Sequence, residues 1–115
     1  MPNDFKIITR NPVPAAAGTP DTIYTVQTGS TLVVQKITLC NIHTTQVTAS
    51  VQVVSTTAHT GQTANQTADI IKDVPIPSGS TFVLDKMNLN VGDVLQVDCS
   101  IADKLSVTMH YMEQT

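Results

Sequence analysis

Histidine and cysteine are the residue types in this sequence that could bind a transition metal or transfer a proton near neutral pH. The chain has three histidines, His43, His59 and His110, and two cysteines, Cys40 and Cys99. No spacing among the histidines fits a known ligand pattern, and no cysteine forms a metal-like cluster with them. We therefore expect solvated or locally hydrogen-bonded histidines. A ring of histidines from several subunits is the alternative that one chain leaves open.

The two cysteines are expected to be reduced. Cys99 falls on a core-facing position of an alternating segment, where a free thiol packs as a small apolar group. Residues 1–4 have neither the basic nor the apolar region of a secretory signal, which indicates folding in a cytoplasm, where thiols stay reduced. A disulfide between Cys40 and Cys99 is the competing interpretation.

The acidic residues suggest no reactive centre. Asp93, Asp98 and Asp103 recur at a regular interval, but they lack the dense oxygen-ligand loop of a calcium site, and we interpret them as turn residues and an outward strand position. Glu113 is the only glutamate, whereas a metal-dependent jelly-roll enzyme needs clustered histidine and glutamate ligands. There is no nucleophile elbow, catalytic triad or phosphate loop. We expect no catalytic residues, no metal, no cofactor and no enzymatic activity.

Charged residues are scarce, at 13% of 115 residues with a formal net charge of -3. Without a basic cluster to neutralise phosphates, nucleic acid is not an expected partner. No apolar run is long enough to span a bilayer, so a membrane is not expected either. A surface rich in Thr, Ser, Gln and Asn repels its own copies weakly, which favours a protein that stands among neighbours in an assembly.

An internal repeat organises the chain. Residues 24–51 align without a gap on residues 74–101, with nine identities in 28 positions, including a Gly-Ser-Thr turn in each copy. Each copy has the pattern strand, turn, strand, break, strand, which predicts two similar β-halves packed face to face. Ancestral duplication and convergence on one packing solution both account for this repeat.

Strict alternation of apolar and polar residues, the pattern of half-buried strands, covers segments that begin at Val47, Leu95 and Leu105. Composition between Gly- and Pro-containing turns predicts further strands at residues 5–9, 22–27, 31–42, 70–76 and 81–84. Seven or eight short strands and no helix predict a single-domain, all-β antiparallel sandwich, of jelly-roll or another Greek-key type, in residues 22–115.

Two segments lie outside this plan. Residues 1–21 combine a short apolar hook with a Pro- and Ala-rich tether, and they are predicted to form an extended N-terminal arm that the domain can lose and still fold. This arm either folds back as an edge strand of its own sheet or is exchanged with a neighbouring subunit. Residues 55–68 are polar and are predicted to be a mobile connector or, alternatively, a contact site.

Protein contacts are predicted at apolar residues of the arm and at one exposed apolar outlier in the sandwich. These residues are Phe5, Ile7, Ile8, Val13 and Val54.

The segments DVPIPSGSTFVL at 73–84, LNVGDVLQV at 89–97 and LSVTMHYME at 105–113, with related segments in the first half, resemble the small β-sandwich virion proteins of tailed bacteriophages, including cyanophages. The resemblance covers residues 22–113. It implies a virion protein assembled in the host cytoplasm, such as a capsid decoration (cement) protein that binds the outer shell and stabilises capsomer contacts. Its partners would be the major capsid protein or other virion proteins.

The resemblance also implies a homo-oligomer, with a trimer expected because local threefold axes are common seats of cement proteins. A structural component of the neck, tail or fibre is one alternative. A glycan- or receptor-binding module is another, but such sites usually present exposed aromatic platforms. The chain has two Tyr, two Phe and no Trp, and Tyr24 and Tyr111 are expected in the core.

Overall fold

The computed structural model describes residues 3–58 and 60–114, which form two antiparallel β-sheets packed face to face. The predicted all-β sandwich is confirmed. The strands of the described residues are β1 (Asn3–Val13), β2 (Asp21–Thr25), β3 (Thr31–Asn41), β4 (Val47–Ser55), β5 (Gln66–Ile76), β6 (Thr81–Leu84), β7 (Met87–Leu89), β8 (Val94–Cys99) and β9 (Leu105–Gln114).

We call the two layers the front sheet and the back sheet. The front sheet has the strand order β1-β9-β3-β6, and β7 pairs with β3 on the same side as β6. The back sheet has the order β2-β8-β4-β5. The front sheet therefore ends in β1 on one side and in β6 and β7 on the other, and the back sheet ends in β2 and β5.

The core is built from alternating side chains of both sheets. In β9 every second residue from Leu105 to Glu113 is buried, and in β8 the same holds from Leu95 to Cys99. Burying one large aliphatic side chain stabilises the fold by about 1.5–3 kcal/mol. A slip of one residue would turn all of these side chains to solvent, so the alternation determines which face of each strand points inward.

The sequence repeat corresponds to an approximate twofold relation between strands. β3 of the first copy pairs with β6 and β7 of the second, and β4 pairs with β8. The register is symmetric: Ile37 pairs with Leu84. In the repeat, Ile37 corresponds to Met87 and Leu84 corresponds to Val34. Met87 and Val34 also pair with each other. The two halves therefore pack against each other through equivalent strands.

The N-terminal segment forms an edge strand in its own chain. β1 pairs with β9 from Asn3 opposite Gln114 to Val13 opposite Leu105, with a register shift after Arg10. Val13 is 5% exposed and belongs to the core. The segment therefore contributes a side chain to the core. The predicted arm, which the domain could lose and still fold, did not include such a contribution.

Residues 14–20 carry the chain from the front sheet to the back sheet and are tied down by backbone groups. The amide of Asp103 donates to the Pro14 carbonyl at 2.8 Å, and the amide of Gly18 donates to the Cys99 carbonyl at 3.3 Å. The amide of Ala15 donates to the Asp21 carboxylate at 3.0 Å. The tether is thus held against the turn between β8 and β9.

Three strands differ from the sequence prediction. β1 was predicted at residues 5–9 and runs from Asn3 to Val13, into the predicted tether. β7 was not predicted, because its three residues are too few to show an alternation and follow the charged pair Asp85 and Lys86. β5 begins at Gln66, so the end of the predicted connector is part of a strand. Its polar first residues pair with β4 through their backbone groups, which hydrophobic patterning does not reveal.

Candidate interaction surface

The front sheet exposes large apolar side chains on the face that points away from the core. Phe5 and Ile7 of β1 are 70% and 56% exposed, and Val83 of β6 is 45% exposed. In β9, the residues opposite Phe5 and Ile7 are Met112 and His110, which also lie on the outer face. Phe5 and Ile7 therefore lie on one edge strand of this sheet and Val83 on the other, while Ile42, which directly follows β3, is 47% exposed.

A shallow groove runs beside β1. It is lined by Phe5, Lys6, Ile7, Gln35 and His110, and its volume is about 350 Å³. Apolar side chains beside a few polar groups are typical of protein contact surfaces. The groove brings two of the five predicted contact residues together with polar groups of β3 and β9.

Next to β1, a buried glutamate joins the two sheets. Glu113 of β9 is 8% exposed, and the Tyr24 hydroxyl of β2 donates to its Oε2 at 2.6 Å. Lys6 Nζ of β1 donates to its Oε1 at 3.4 Å. The rings of Tyr24 and Tyr111 pack with their centroids 5.4 Å apart. Because Tyr24 belongs to the back sheet and Lys6 to the front sheet, the carboxylate connects the two layers.

The electrostatics of this cluster favour a structural role. The hydrogen bond from Tyr24 lowers the pKa of Glu113, while burial opposes this shift and Lys6 adds to it. Burial, followed by the hydrogen bond to Glu113, raises the pKa of Tyr24. Both shifts move away from neutrality, whereas a general acid or base works best with a pKa near the operating pH. An ionised carboxylate and a protonated phenol therefore hold each other in place.

Arg10 makes a second connection between the layers. Its Nη2 donates to the Ile23 carbonyl of β2 at 3.2 Å. Arg10 and Lys6 lie on the same side of β1 as Ile8, which packs against the core. We call Lys6, Arg10, Tyr24 and Glu113 together the edge clamp. The edge clamp holds β1 against its own chain.

The five predicted contact residues fall into three environments. Phe5 and Ile7 are exposed and adjacent on the outer face. Ile8 is half-buried against the core, and Val13 is inside it. Val54 is half-buried in β4 of the back sheet, away from β1. Of the five residues, Phe5 and Ile7 are therefore the ones whose side chains a partner protein can contact.

Among the described residues, the histidines and cysteines do not form a metal-binding group. His110 is exposed on the front sheet, the backbone amide of His43 donates to Asn41 Oδ1 at 2.7 Å, and His59 lies outside the described residues. Cys40 and Cys99 are free, as expected. In residues 3–58 and 60–114, no group of three His, Cys, Asp or Glu side chains could hold a metal ion.

The aspartates occupy the positions expected of them. Asp93 Oδ2 accepts the backbone N–H of Asn90 at 2.9 Å in the turn before β8. Asp103 has a φ of 59° in the turn before β9. Asp98 lies within β8 on the side opposite its buried neighbours. Two turn residues and an outward strand position are thus confirmed.

A larger cavity, of about 530 Å³, lies at one end of the sandwich. Its lining is Gly29, Ser30, Thr31, Thr57, Asn90 and Val91. These residues come from the turn of the first repeat and from two loops of the same end. The lining has no ionisable side chain, so the cavity has no group for acid–base chemistry.

The edge clamp is the feature that the sequence prediction missed. Glu113 continues the series of inward positions in β9, since it follows Tyr111 at the same two-residue interval as the buried residues before it. An acidic residue at an inward position requires a partner, because an unpaired buried charge is strongly unfavourable. That position in the alternation was the signal that a polar contact lies here.

Comparisons with known proteins identify the fold. No helix in the described part of the chain is long and apolar enough to cross a membrane. Neither a protein-family model nor a curated protein matches this sequence. Among the solved structures of similar fold are two that come from large assemblies.

One of them is from the Bacillus endospore appendages, a family of disulfide-linked pili. It has a TM-score of 0.50 and 17% identity, covering 98% of this chain and 86% of that chain. The other is from the T13 particle of the icosahedral virus IBDV. It has a TM-score of 0.55 and 10% identity, covering 96% of this chain and 30% of that chain. At these identities the shared property is the β-sandwich fold.

Proposed function

We propose that this chain is a non-enzymatic structural subunit of a virion. Specifically, it is a decoration protein that binds the outer shell of a tailed bacteriophage as an oligomer and contacts the major capsid protein. The resemblance of residues 22–113 to small phage virion proteins supports the phage assignment. The two structures of similar fold come from a pilus and an icosahedral particle, which supports a role in an assembly.

The observation that carries the proposal is the exposure of Phe5 and Ile7 on a regular edge strand. Burying one such side chain contributes about 1.5–3 kcal/mol, which is weak for one contact. Copies arranged around a symmetry axis add such contacts into a strong attachment. A charge-poor sandwich with a small apolar patch therefore fits repeated binding on a particle surface.

The test uses virions of the virus that encodes this chain, prepared with and without it. Particles lacking the chain are mixed with purified wild-type protein, with the Phe5→Ser/Ile7→Ser variant, or with Ile70→Ser. Ile70 is 43% exposed on the back sheet and provides the matched control. Circular dichroism checks that each variant is folded.

We expect wild type and Ile70→Ser to bind the shell and to raise its resistance to heat, and the double variant to do neither. Equal binding by the double variant would contradict the proposed contact. Absence of the chain from purified virions would contradict the virion assignment itself.

A subunit of a filamentous part of the particle, such as the tail or a fibre, is the second candidate. The likeness to a pilus protein over 98% of this chain and 86% of that chain favours it. An electron cryomicroscopy map of the intact particle distinguishes the two. Copies on the shell support the decoration protein, and copies along the neck, tail or fibre support the filament subunit.

A glycan-binding function has less support from the surface. Aromatic rings that recognise ligands combine an accessible apolar face with a polar end. Tyr24 and Tyr111 instead pack on each other, and the Tyr24 hydroxyl is engaged by Glu113. Phe5 is exposed, but it lacks the polar end of Tyr or Trp.

A further inference from the structure

The edges of the sandwich differ in their protection against pairing with another chain. Proteins protect exposed edges with bulges, prolines and charged residues. β5 has two register shifts, a positive φ at Asp73 and a proline at position 75. In β2 the register shifts between Thr22 and Tyr24, and the Ile23 carbonyl accepts a hydrogen bond from Arg10. Both edges of the back sheet are therefore irregular.

The edges of the front sheet are more regular. β1 pairs with β9 without a register shift from Asn3 to Arg10, so its other side presents a regular row of backbone groups over residues 3–8. Beyond them, the Thr9 carbonyl accepts a hydrogen bond from Arg10 Nη1 at 3.0 Å. β6 and β7 contain no proline and no charged residue within their strands. These two edges terminate the same sheet on opposite sides.

The internal repeat shows that one of these edges lacks a neighbour. β3, in the first copy, pairs with β6 and β7 on one side and with β9 on the other. β6 and β7 are the counterparts of β3 in the second copy. Within residues 3–58 and 60–114, they pair with β3 alone. Among the described residues, no strand therefore lies beside β6 and β7 at the position that β9 occupies beside β3.

We propose that β1 of a second copy of this chain occupies that place, so that the front sheet continues from one copy to the next. The front-sheet strands alternate in direction, and β1 and β6 therefore run opposite ways. A neighbour rotated about an axis parallel to the strands presents its β1 antiparallel to β6. Such a head-to-tail contact closes into a ring or continues as a filament.

The side chains fit this pairing. Phe5 and Ile7 of one copy lie on the same face of the continuous sheet as Val83 of the next, so pairing brings these exposed apolar groups together. Pairing of β1 with another β1 would align two strands that each carry two basic residues and one acidic one. Residues 81–89 carry one Asp and one Lys and present no such excess of positive charge.

The tether of residues 14–20 favours addition of the neighbour's strand over exchange of β1. Exchange would re-form the contacts of the edge clamp between two copies, but the tether would have to leave the turn between β8 and β9, where hydrogen bonds to Asp103 and Cys99 hold it. Addition to the edge of β6 and β7 leaves these hydrogen bonds in place. This inference deepens the proposed function by naming the edges through which copies associate. It is tested on purified protein, so it can fail while the virion assignment stands.

The first experiment traps the pairing with engineered disulfides in the full-length chain, with Cys40→Ser as background. Ile7→Cys and Val83→Cys are introduced singly and together. Within one chain, β1 and β6 are separated by two strands, or about 14 Å at the usual spacing, beyond the reach of about 7 Å between Cα atoms for a disulfide. Any disulfide between positions 7 and 83 therefore joins two copies.

We expect the paired variant to give covalent multimers on mild oxidation, and Ile7→Cys with Ile70→Cys to give none. Dimers from Ile7→Cys alone would show pairing of β1 with β1 and overturn the proposal. The absence of multimers from the paired variant would overturn it as well.

The second experiment measures mass in solution by sedimentation, with native cysteines and over a range of protein concentrations. Val83→Lys places a charge on the proposed edge, and Ile70→Lys is the control of similar exposure on the back sheet. We expect Val83→Lys to weaken association by about tenfold or more while remaining folded, and Ile70→Lys to match wild type. A wild-type chain that stays monomeric at every accessible concentration, or equal weakening by both variants, would overturn the proposal.

Discussion

Glu113 is the residue on which the closure of the sandwich beside β1 depends. Its carboxylate accepts hydrogen bonds from Tyr24 of the back sheet and from Lys6 of the front sheet. A buried carboxylate is tolerated because these partners replace the water it loses. The shifts in pKa keep the glutamate ionised and the tyrosine protonated at neutral pH. At neutral pH, the Glu113 carboxylate therefore stays in the ionised form that accepts both hydrogen bonds.

Substituting Tyr24→Phe removes the hydroxyl that donates to Glu113. Because a buried carboxylate oxygen then loses its partner, we expect the free energy of unfolding to fall by about 1–3 kcal/mol. Urea denaturation at neutral pH measures the change. Tyr111→Phe is the matched control, since it removes a hydroxyl from the adjacent ring but leaves the hydrogen bond to Glu113 intact. An equal loss in both variants would show that the hydrogen bond is not the cause.

The lowered pKa of Glu113 predicts a dependence of stability on pH. A carboxyl group with a lower pKa in the folded state stabilises the fold above its unfolded pKa of about 4.3, and this contribution is lost as the pH falls through the folded pKa. We therefore expect wild type to exceed Glu113→Gln in stability at pH 7, and the difference to shrink below about pH 4. Denaturation curves across this range measure it. A difference that does not vary with pH would rule out ionisation of Glu113 as its source.

At the level of elements, β1 has two sides with different roles. One face packs Ile8 and Val13 against the core and carries the basic residues of the edge clamp. The other face exposes Phe5 and Ile7. The period of two residues in a strand allows one segment to stabilise its own fold and to present a contact surface.

Deleting residues 1–13 is expected to destabilise the domain by at least about 3 kcal/mol, since Val13 leaves the core and β9 loses its neighbour. Phe5→Ser/Ile7→Ser, which changes the outer face alone, should stay within about 1 kcal/mol of wild type. Thermal or urea denaturation of both proteins makes the comparison. A truncated domain as stable as wild type would mean that β1 is an independent arm.

At the scale of the molecule, the two halves share one packing scheme but not the same neighbours. The pairing of β3 with β6 and β7 is symmetric, whereas β9 and β1 extend the sheet on the side of β3 only. In the part of the chain that the structure describes, the front sheet therefore ends in two different unpaired edges, β1 on one side and β6 with β7 on the other. Ends of this sort suit head-to-tail association, in which each copy uses one end of each kind.

Association through backbone pairing and apolar contacts should depend weakly on salt. Surface ion pairs are screened as ionic strength rises, whereas hydrogen bonds between strands and apolar burial are not. We expect sedimentation at about 0.1 M and about 1 M salt to give association constants within roughly threefold of each other. A steep loss of association at high salt would indicate that charged contacts hold the copies together.

The sequence predicted the strands that alternate most strictly, β4, β8 and β9, and the sandwich they form. It also predicted the burial of Cys99. Of the five residues predicted to contact a partner, Phe5 and Ile7 are exposed, whereas Ile8 and Val54 are half-buried and Val13 is in the core. These features follow from local periodicity, because an inward apolar position and an outward polar one are determined by neighbours two residues away. β7 and the first residues of β5 are held by backbone pairing with distant strands, so their side chains carried too weak a signal.

The amino-acid sequence by itself determined the class of fold, the repeat and the low charge of the surface. Only the tertiary structure decided that residues 3–13 close the sheet beside β9 and that Glu113 meets Tyr24 and Lys6. It also decided that β6 and β7 pair with a single strand, β3, among the described residues. The physical reason is that these contacts join residues far apart in sequence. Strand order, which places them side by side, depends on the packing of the whole chain.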